Sequence, residues 1–440
     1  MTFPRVGVIG AGQLARMMAV PANDLGIEFT VFTANPDDSA AQIADFVLGD
    51  FRDLQSILAF AKDCDVITFE HELVPQSVIK GLEAAGVKVY PRAESFIYSQ
   101  NKLEMRRKIQ ELGLPNPIFE EYRGGNHSIK FPLIAKLPTG GYDGRGVYVI
   151  ENQSELDELF KRNGTLLLEE KLNFEYEISV MVARSPHNQA ASWPTTLTVQ
   201  NDGICTMTIT PMPEISSELE EKVQSAALKI AAGINLVGVM AVEIFIVRDK
   251  FFINELALRP HNSGHWTIEG SKTSQFEQHL RAVLDLPLGS TALTNKFAVM
   301  GNILGGEKTD MYRPYLHLMA RTPELHFHQY RKNGLHNLLM IYNFNLPLLF
   351  STIFPNYPWH PNYFPSSSLS SSISDTPTPS RSPPISTTPQ SSTTKSRSIS
   401  HSPTHSTSLS SSISDSKSMS TSPSLTMTST KSPSITSSPS

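Results

Sequence analysis

AVEIFIVRDKFFINELALRPHNSGHW, residues 241–266, reads as two apolar strands folded about a turn at Val247–Lys250. Glu243 lies within the first strand and Glu255 ends the second, so the hairpin brings both carboxylates to one face. Two carboxylates with Asn254 beside them suit Mg²⁺, which takes oxygen ligands and bridges to substrate phosphates. Arg259, His261, Asn262 and Ser263 follow at once, with donors able to hold a small oxyanion. A lone Arg or His there would read as structural; two strand carboxylates followed by this cluster read as a site.

Upstream, AKLPTGGYDGRGVYV (135–149) ends an apolar strand at Lys136 and enters a glycine-rich loop. Gly140, Gly141, Gly144 and Gly146 let backbone amides lie against phosphate oxygens. Lys136 supplies a point charge, Arg145 a fork of donors and Asp143 an acceptor. LLLEEKLNFEYE (166–177) leaves another strand with Glu169, Glu170 and Glu177 in reach. It reads either as a solvated strand end or as a nucleotide hinge. In the hinge reading, Lys171 and Leu172 meet the adenine edge and Glu177 accepts from ribose hydroxyls.

The N-terminal region has a different rhythm. RVGVIG (5–10), EFTVFTA (28–34), FVLGD (46–50), DVITFE (65–70) and VKVYP (87–91) are short strand-like runs with helical stretches between several of them. This alternation predicts a parallel sheet with covering helices, which binds ligands at the carboxyl ends of its strands. GAGQLARM (10–17) follows the first strand and opens a helix near Gln13, offering free N–H groups and a positive dipole end. The turn suits NAD, another phosphate-bearing ligand or a purely structural role. NAD is disfavoured because the second strand ends in Thr33 and Ala34 rather than an acid.

NKLEMRRKIQELGLPNP (101–117) reads as a helix stopped by Gly113 and Pro115, and residues 216–236 as another. Between them, strands at 132–138, 146–150, 165–172 and 176–183 predict a mostly antiparallel sheet. A net charge of −5 gives no footprint for nucleic acid. Cys64 and Cys205 match no zinc spacing, and with no leader and no long apolar run the expected setting is reduced and cytoplasmic, with no membrane. Residues 337–365 are apolar and aromatic, but Asn and Pro interrupt any strand or helix period. Residues 366–440 are Ser, Thr and Pro almost throughout, a composition that predicts disorder.

Seven segments, in order, resemble the ATP-grasp family, and within it the N5-carboxyaminoimidazole ribonucleotide synthases of purine biosynthesis. They are GAGQLARM, TFEHEL, TGGYDGRG, EEKLNFEYEISV, GVMAVEIF, INELALRPHNSGHWT and SQFEQHLRAVLDLPL, over roughly residues 5–330. The resemblance implies a mixed α/β and α+β chain. Its parts are a Rossmann-like domain (1–95), an ATP-grasp domain (96–290), a partial C-terminal domain (291–332), an unrelated apolar segment (333–365) and the tail (366–440). It implies an ATP-dependent ligase that carboxylates 5-aminoimidazole ribonucleotide with bicarbonate through carboxyphosphate, as a homodimer.

By the same resemblance, Lys102, Lys136, the loop Gly141–Tyr142–Asp143–Gly144–Arg145–Gly146–Val147, Glu169, Glu170, Lys171, Leu172, Glu177, Gln200, Asn254 and Glu255 hold ATP. Glu243 and Glu255 hold Mg²⁺ or Mn²⁺, and Arg259, His261, Asn262 and Ser263 hold the bicarbonate or carboxyphosphate. Gln13, Leu14, Glu72, Tyr142, Asp143, Arg145 and Lys332 face the ribonucleotide, with Asp143 and Arg145 also counted among the catalytic groups.

The chain departs from the family in three places. Lys102 stands where the family commonly has Arg, and Gln200 where it commonly has His. After HFHQYRK (326–332) the family continues with a basic stretch that grips the substrate phosphate, whereas this chain reads NGLHNLLMIY (333–342). Losing those charge-assisted contacts predicts weakened ribonucleotide binding. The alternatives are therefore an ATP-binding but impaired homologue, or an ATP-grasp ligase with another acceptor.

Overall fold

The computed structural model describes residues 3–140, 146–201, 203–213, 215–303, 312–330 and 338–344. The glycine-loop residues Gly141, Tyr142, Asp143, Gly144 and Arg145, as well as Lys332 and the tail 366–440, lie outside the described residues.

Four strands form the N-terminal sheet: β1 (Arg5–Ile9), β2 (Glu28–Thr33), β3 (Asp45–Leu48) and β4 (Val66–Phe69). All pairs are parallel, in the order β3-β2-β1-β4. Val6, Val8, Ile9, Val31, Phe32, Ile67 and Phe69 are buried, as the apolar runs require of a sheet covered on both faces. The expected strand at 87–91 shrinks to a single parallel bridge, Ile67 to Val89. Pro91 comes two residues later and cannot donate to a ladder.

A smaller antiparallel sheet comprises β5 (Phe119–Tyr122), β6 (Leu133–Lys136), β7 (Val147–Ile150) and β8 (Leu166–Glu170), ordered β5-β8-β6-β7. Leu133, Ala135, Leu166 and Leu168 pack with Leu156 and Leu159 of the helix Gln153–Asn163. Strand alternation therefore turns Lys136 and Glu169 to the opposite face together.

The large antiparallel sheet runs β14-β13-β9-β11-β12-β15-β17-β16, with β10 paired to β9. Its strands are β9 (Tyr176–Arg184), β10 (Ala190–Ser192), β11 (Thr196–Asn201), β12 (Ile204–Thr210), β13 (Gly238–Val247), β14 (Lys250–Ala257), β15 (Phe297–Ile303), β16 (Leu325–Gln329) and β17 (Leu338–Phe344). β17 corrects the expectation that residues 337–365 hold no regular element. It lies between β15 and β16 and pairs antiparallel with both. Leu338 to Tyr342 is an unbroken run of apolar and aromatic residues, and the strand takes in Asn343 before the first proline at Pro347 ends any pairing period. Among the described residues no helix is long and apolar enough to cross a membrane.

His279 joins the first sheet to the third. Val239 N donates to its Nδ1 at 3.1 Å, and its Nε2 meets Thr68 Oγ1 at 2.8 Å. The ring is therefore neutral with its hydrogen on Nε2, and burial holds it down from 6.5 to about 3. A base with a depressed native pKa contributes stability above pH 6.5 that is lost as pH falls toward about 3. His279→Gln keeps one donor and one acceptor but does not titrate. Its unfolding free energy, from urea denaturation, should fall less steeply over that range than the parent's, by up to ~1.4 kcal/mol per pH unit. Parallel curves would refute the assignment.

Candidate active site

β13 and β14 place Glu243 directly opposite Glu255, and the register shifts between Glu243 and Ile244. Ile244 pairs with Ile253, which leaves Asn254 as an extra residue. The bulge re-aims the strand, so Asn254 and Glu255 both serve the cleft although they are neighbours. Glu255 Oε1 accepts from Lys102 Nζ, and Asn254 Oδ1 accepts from Lys136 Nζ at 3.1 Å.

Lys102 belongs to the helix Lys102–Glu111, which Asn101 caps by accepting from the N–H groups of Leu103 and Glu104. One turn later the same helix buries Arg106 completely. Arg106 Nε donates to Glu169 Oε1 at 2.6 Å, and one terminal nitrogen donates to the carbonyl of Ile253 at 2.6 Å. Lys136 Nζ contacts the other Glu169 oxygen at 2.9 Å. Burial alone would raise the Glu169 carboxyl, but Arg106 and Lys136 outweigh it and hold the group at about 2. Burial also lowers Lys136, with Glu169 working against that effect. Glu169 is thus a buried anchor for two cations rather than a solvated strand end. Reading for ligand contacts missed Arg106, although its spacing from Leu103 and Ile109 put a cation on the apolar stripe of that helix.

Glu177 is raised by burial, while a hydrogen bond with Gln200 draws it down, so these two residues meet. Glu170 turns outward and accepts from the Ile118 N–H at 2.8 Å, which separates it from Glu169 as strand alternation demands. Lys171 and Leu172 lead from β8 toward β9. Gly146 and Val147 begin the far side of the glycine loop.

Glu243 is pushed up to about 8 by burial first, and then by the facing charges of Glu255 and Glu177. Two opposed carboxylates that repel each other and an amide oxygen form a donor set that a divalent cation would relieve. Among the described residues no third acid, His or Cys completes a protein-only cage. The set fits Mg²⁺ or Mn²⁺, whose remaining ligands come from water and substrate phosphate.

His261 Nε2 lies 3.6 Å from Glu243 Oε1. The contact is not an ion pair, because burial, aided by Arg259, holds the imidazole down to about 3. His261 Nδ1 meets Ser263 Oγ at 2.9 Å, and Ser263 Oγ donates to Ser179 Oγ at 2.8 Å. Asn262 donates to the Cys205 carbonyl at 3.4 Å. Arg259 Nε donates to Glu72 Oε2 at 2.7 Å, so an acid assigned to one substrate and a cation assigned to the other hold each other.

At the opening turn, the helix Gln13–Asp24 starts after Gly12 as expected. The Leu14 N–H, however, donates to Glu70 Oε1 at 3.3 Å, and the Leu14 side chain is core. The carboxylate of Glu70 takes the place a phosphate would occupy at a helix N-terminus. Glu70 is the first acid of TFEHEL and directly follows β4.

Comparison with known proteins agrees with this geometry. A ribonucleotide synthetase preATP-grasp domain family matches residues 3–100, and an ATP-grasp domain family matches residues 107–276. The N5-carboxyaminoimidazole ribonucleotide synthase of Mycobacterium bovis is 39% identical over 344 residues, covering 75% of this chain and 80% of that protein. The crystal structure of the synthetase from Thermus thermophilus superposes with a TM-score of 0.72 at 30% identity, over 81% of this chain and all of that one. The Aspergillus clavatus enzyme, solved with ADP and 5-aminoimidazole ribonucleotide, also gives 0.72 at 30% identity, over 80% of this chain and 97% of that one. The chain belongs to the N5-carboxyaminoimidazole ribonucleotide synthase family of ATP-grasp ligases.

Proposed function

We infer that this chain carboxylates 5-aminoimidazole ribonucleotide with bicarbonate at the expense of ATP, in purine biosynthesis. The observation that carries the reading is the register of Glu243 against Glu255, with Lys102 and Lys136 on their flank and the Arg259–Ser263 donors directly following. A bicarbonate oxygen attacks the γ-phosphorus, the bond to the ADP oxygen breaks, and carboxyphosphate forms. The exocyclic amine then attacks the carboxyl carbon, phosphate leaves, and the amine gives up a proton.

Such steps need little covalent chemistry from the protein; positioning and charge stabilisation dominate. In this reading Lys102 and Lys136 neutralise phosphate oxygens, and Glu177 with Gln200 lies toward the nucleoside. Arg259, His261, Asn262 and Ser263 hold the bicarbonate-derived oxyanion, and Glu72 orients Arg259 while facing the acceptor. Mg²⁺ or Mn²⁺ at Glu243 and Glu255 would supply further neutralisation of the phosphates. The same reading includes domain boundaries near residues 95 and 290, a homodimer and a cytoplasmic location.

Release of ADP and of carboxylated product should require both bicarbonate and the ribonucleotide. A turnover that ignores the ribonucleotide would overturn the choice of acceptor. A chimera with an intact family C-terminus should show a lower KM for the ribonucleotide than the natural chain and the same KM for ATP. Equal KM values for the ribonucleotide would refute the importance of the replaced basic stretch.

A further inference from the structure

Gln275 touches no assigned ligand, yet its side chain is wholly buried beneath the Arg259–Ser263 segment. Its Oε1 accepts from the His261 N–H at 2.8 Å, and its Nε2 donates to the His261 carbonyl at 2.7 Å. One amide thus satisfies both backbone groups of a single residue, which pins the two peptide units on either side of the His261 Cα. The clamp is itself held: the Gln275 N–H donates to Thr267 Oγ1 at 2.9 Å, and Thr267 Oγ1 donates to the Gly264 carbonyl at 2.6 Å. The chain passes so close that a Cβ at Gly264 would lie 2.5 Å from Gln275 Oε1, so a larger residue there would push the amide out of its clamp.

Within the turn the Gly264 N–H donates to the His261 carbonyl at 3.0 Å, and Arg259 is tethered to Glu72; the remaining ties run through side chains. Ser263 reaches Ser179, and Asn262 reaches the Cys205 carbonyl. Neither constrains the backbone of His261. Gln275 sits at the start of the helix Gln275–Val283, capped by Ser274, so the clamp is mounted on a rigid element rather than on the loop.

We propose that Gln275 is a positioning residue for the bicarbonate half of the reaction, aiming His261 and its neighbours through the main chain. The proposal rests on the assignment of Arg259–Ser263 to the bicarbonate-derived oxyanion made above. Misplacement of such donors by an ångström costs about 100-fold in rate. The loss should fall on one substrate, because Lys102, Lys136 and Glu177 have no bond to Gln275.

Gln275→Met keeps the volume and removes both hydrogen bonds. Gln275→Glu keeps the acceptor for the His261 N–H and sets a carboxylate oxygen against the His261 carbonyl. Steady-state kinetics on the full chain, varying bicarbonate, ATP and ribonucleotide separately, test the idea. The expected result is a drop of about 100-fold in kcat/KM for bicarbonate, carried mostly by KM, with the KM for ATP unchanged. If Gln275→Met does not fold, Gln275→Glu carries the same expectation. A folded variant with the parent's bicarbonate KM, or one in which all three substrates suffer equally, overturns the proposal. A parent chain whose turnover is independent of bicarbonate would overturn the underlying assignment instead, and the clamp's role with it.

Discussion

Replacing Glu169 by alanine is expected to destabilise the protein by about 3–5 kcal/mol, the range seen when one partner of a buried ion pair is removed. Arg106 and Lys136 would then be buried without the carboxylate they share, at side-chain exposures of 0% and 9%. Lys136 can shed its proton, since burial already lowers it, but Arg106 cannot. Most of the loss should therefore trace to Arg106, and Glu169→Ala combined with Arg106→Met should recover part of it. The pH dependence follows from the same pair. A carboxyl held at about 2 against an ordinary 4.5 contributes fully above pH 4.5 and loses that contribution as pH falls toward about 2. Urea denaturation of parent and variant at neutral and acid pH measures both effects. A neutral-pH difference below about 1 kcal/mol would be a surface-pair value and would refute the anchor.

The second large effect is on turnover. Glu255→Gln and Glu243→Gln each remove one of the two facing carboxylates, and each should lower kcat/KM for ATP by about 100-fold or more, the scale of losing a preorganised electrostatic contact to developing charge. The two variants should differ in character. Glu255→Gln also strips Lys102 of its partner, whereas Glu243→Gln removes a group that burial, and then its acidic neighbours, already push up to about 8. Activity measured over a range of Mg²⁺ concentrations should show both variants needing more metal than the parent. An unchanged metal requirement in both would remove these residues from the cation site. Lys102→Arg restores the family's usual residue and should keep activity.

Much of this architecture was legible locally. The hairpin and its turn were, although an unbroken register from the Val247–Lys250 pair would set Glu243 opposite Asn254, and only the bulge puts Glu255 there. The apolar runs at 5–10, 28–34 and 65–70 became three of the four parallel strands of the first sheet. The end of β6 at Lys136 and the helix from Gln13 were likewise set by residues within a few positions. Each depends on period and turn chemistry, which act over a few residues.

The partners of the charged groups were not legible, because nothing local names a group far along the chain. Arg106 and Glu169 are 63 residues apart, and Arg259 and Glu72 are 187 apart. The bulge at Asn254 arises only once β13 and β14 are paired, and the bonds of Gln275 to His261 only once a helix seats under a loop. β17 illustrates the same limit: the seven residues Leu338–Phe344 become a strand because β15 and β16 offer ladders on both sides. The sequence by itself determined which residue types stand at the strand ends and turns of this ligase. Tertiary structure decided which carboxylate anchors a cation, which one faces another carboxylate and which one fills a helix N-terminus. Those outcomes depend on desolvation and on charge pairs assembled across long loops, and neither exists until the chain has closed.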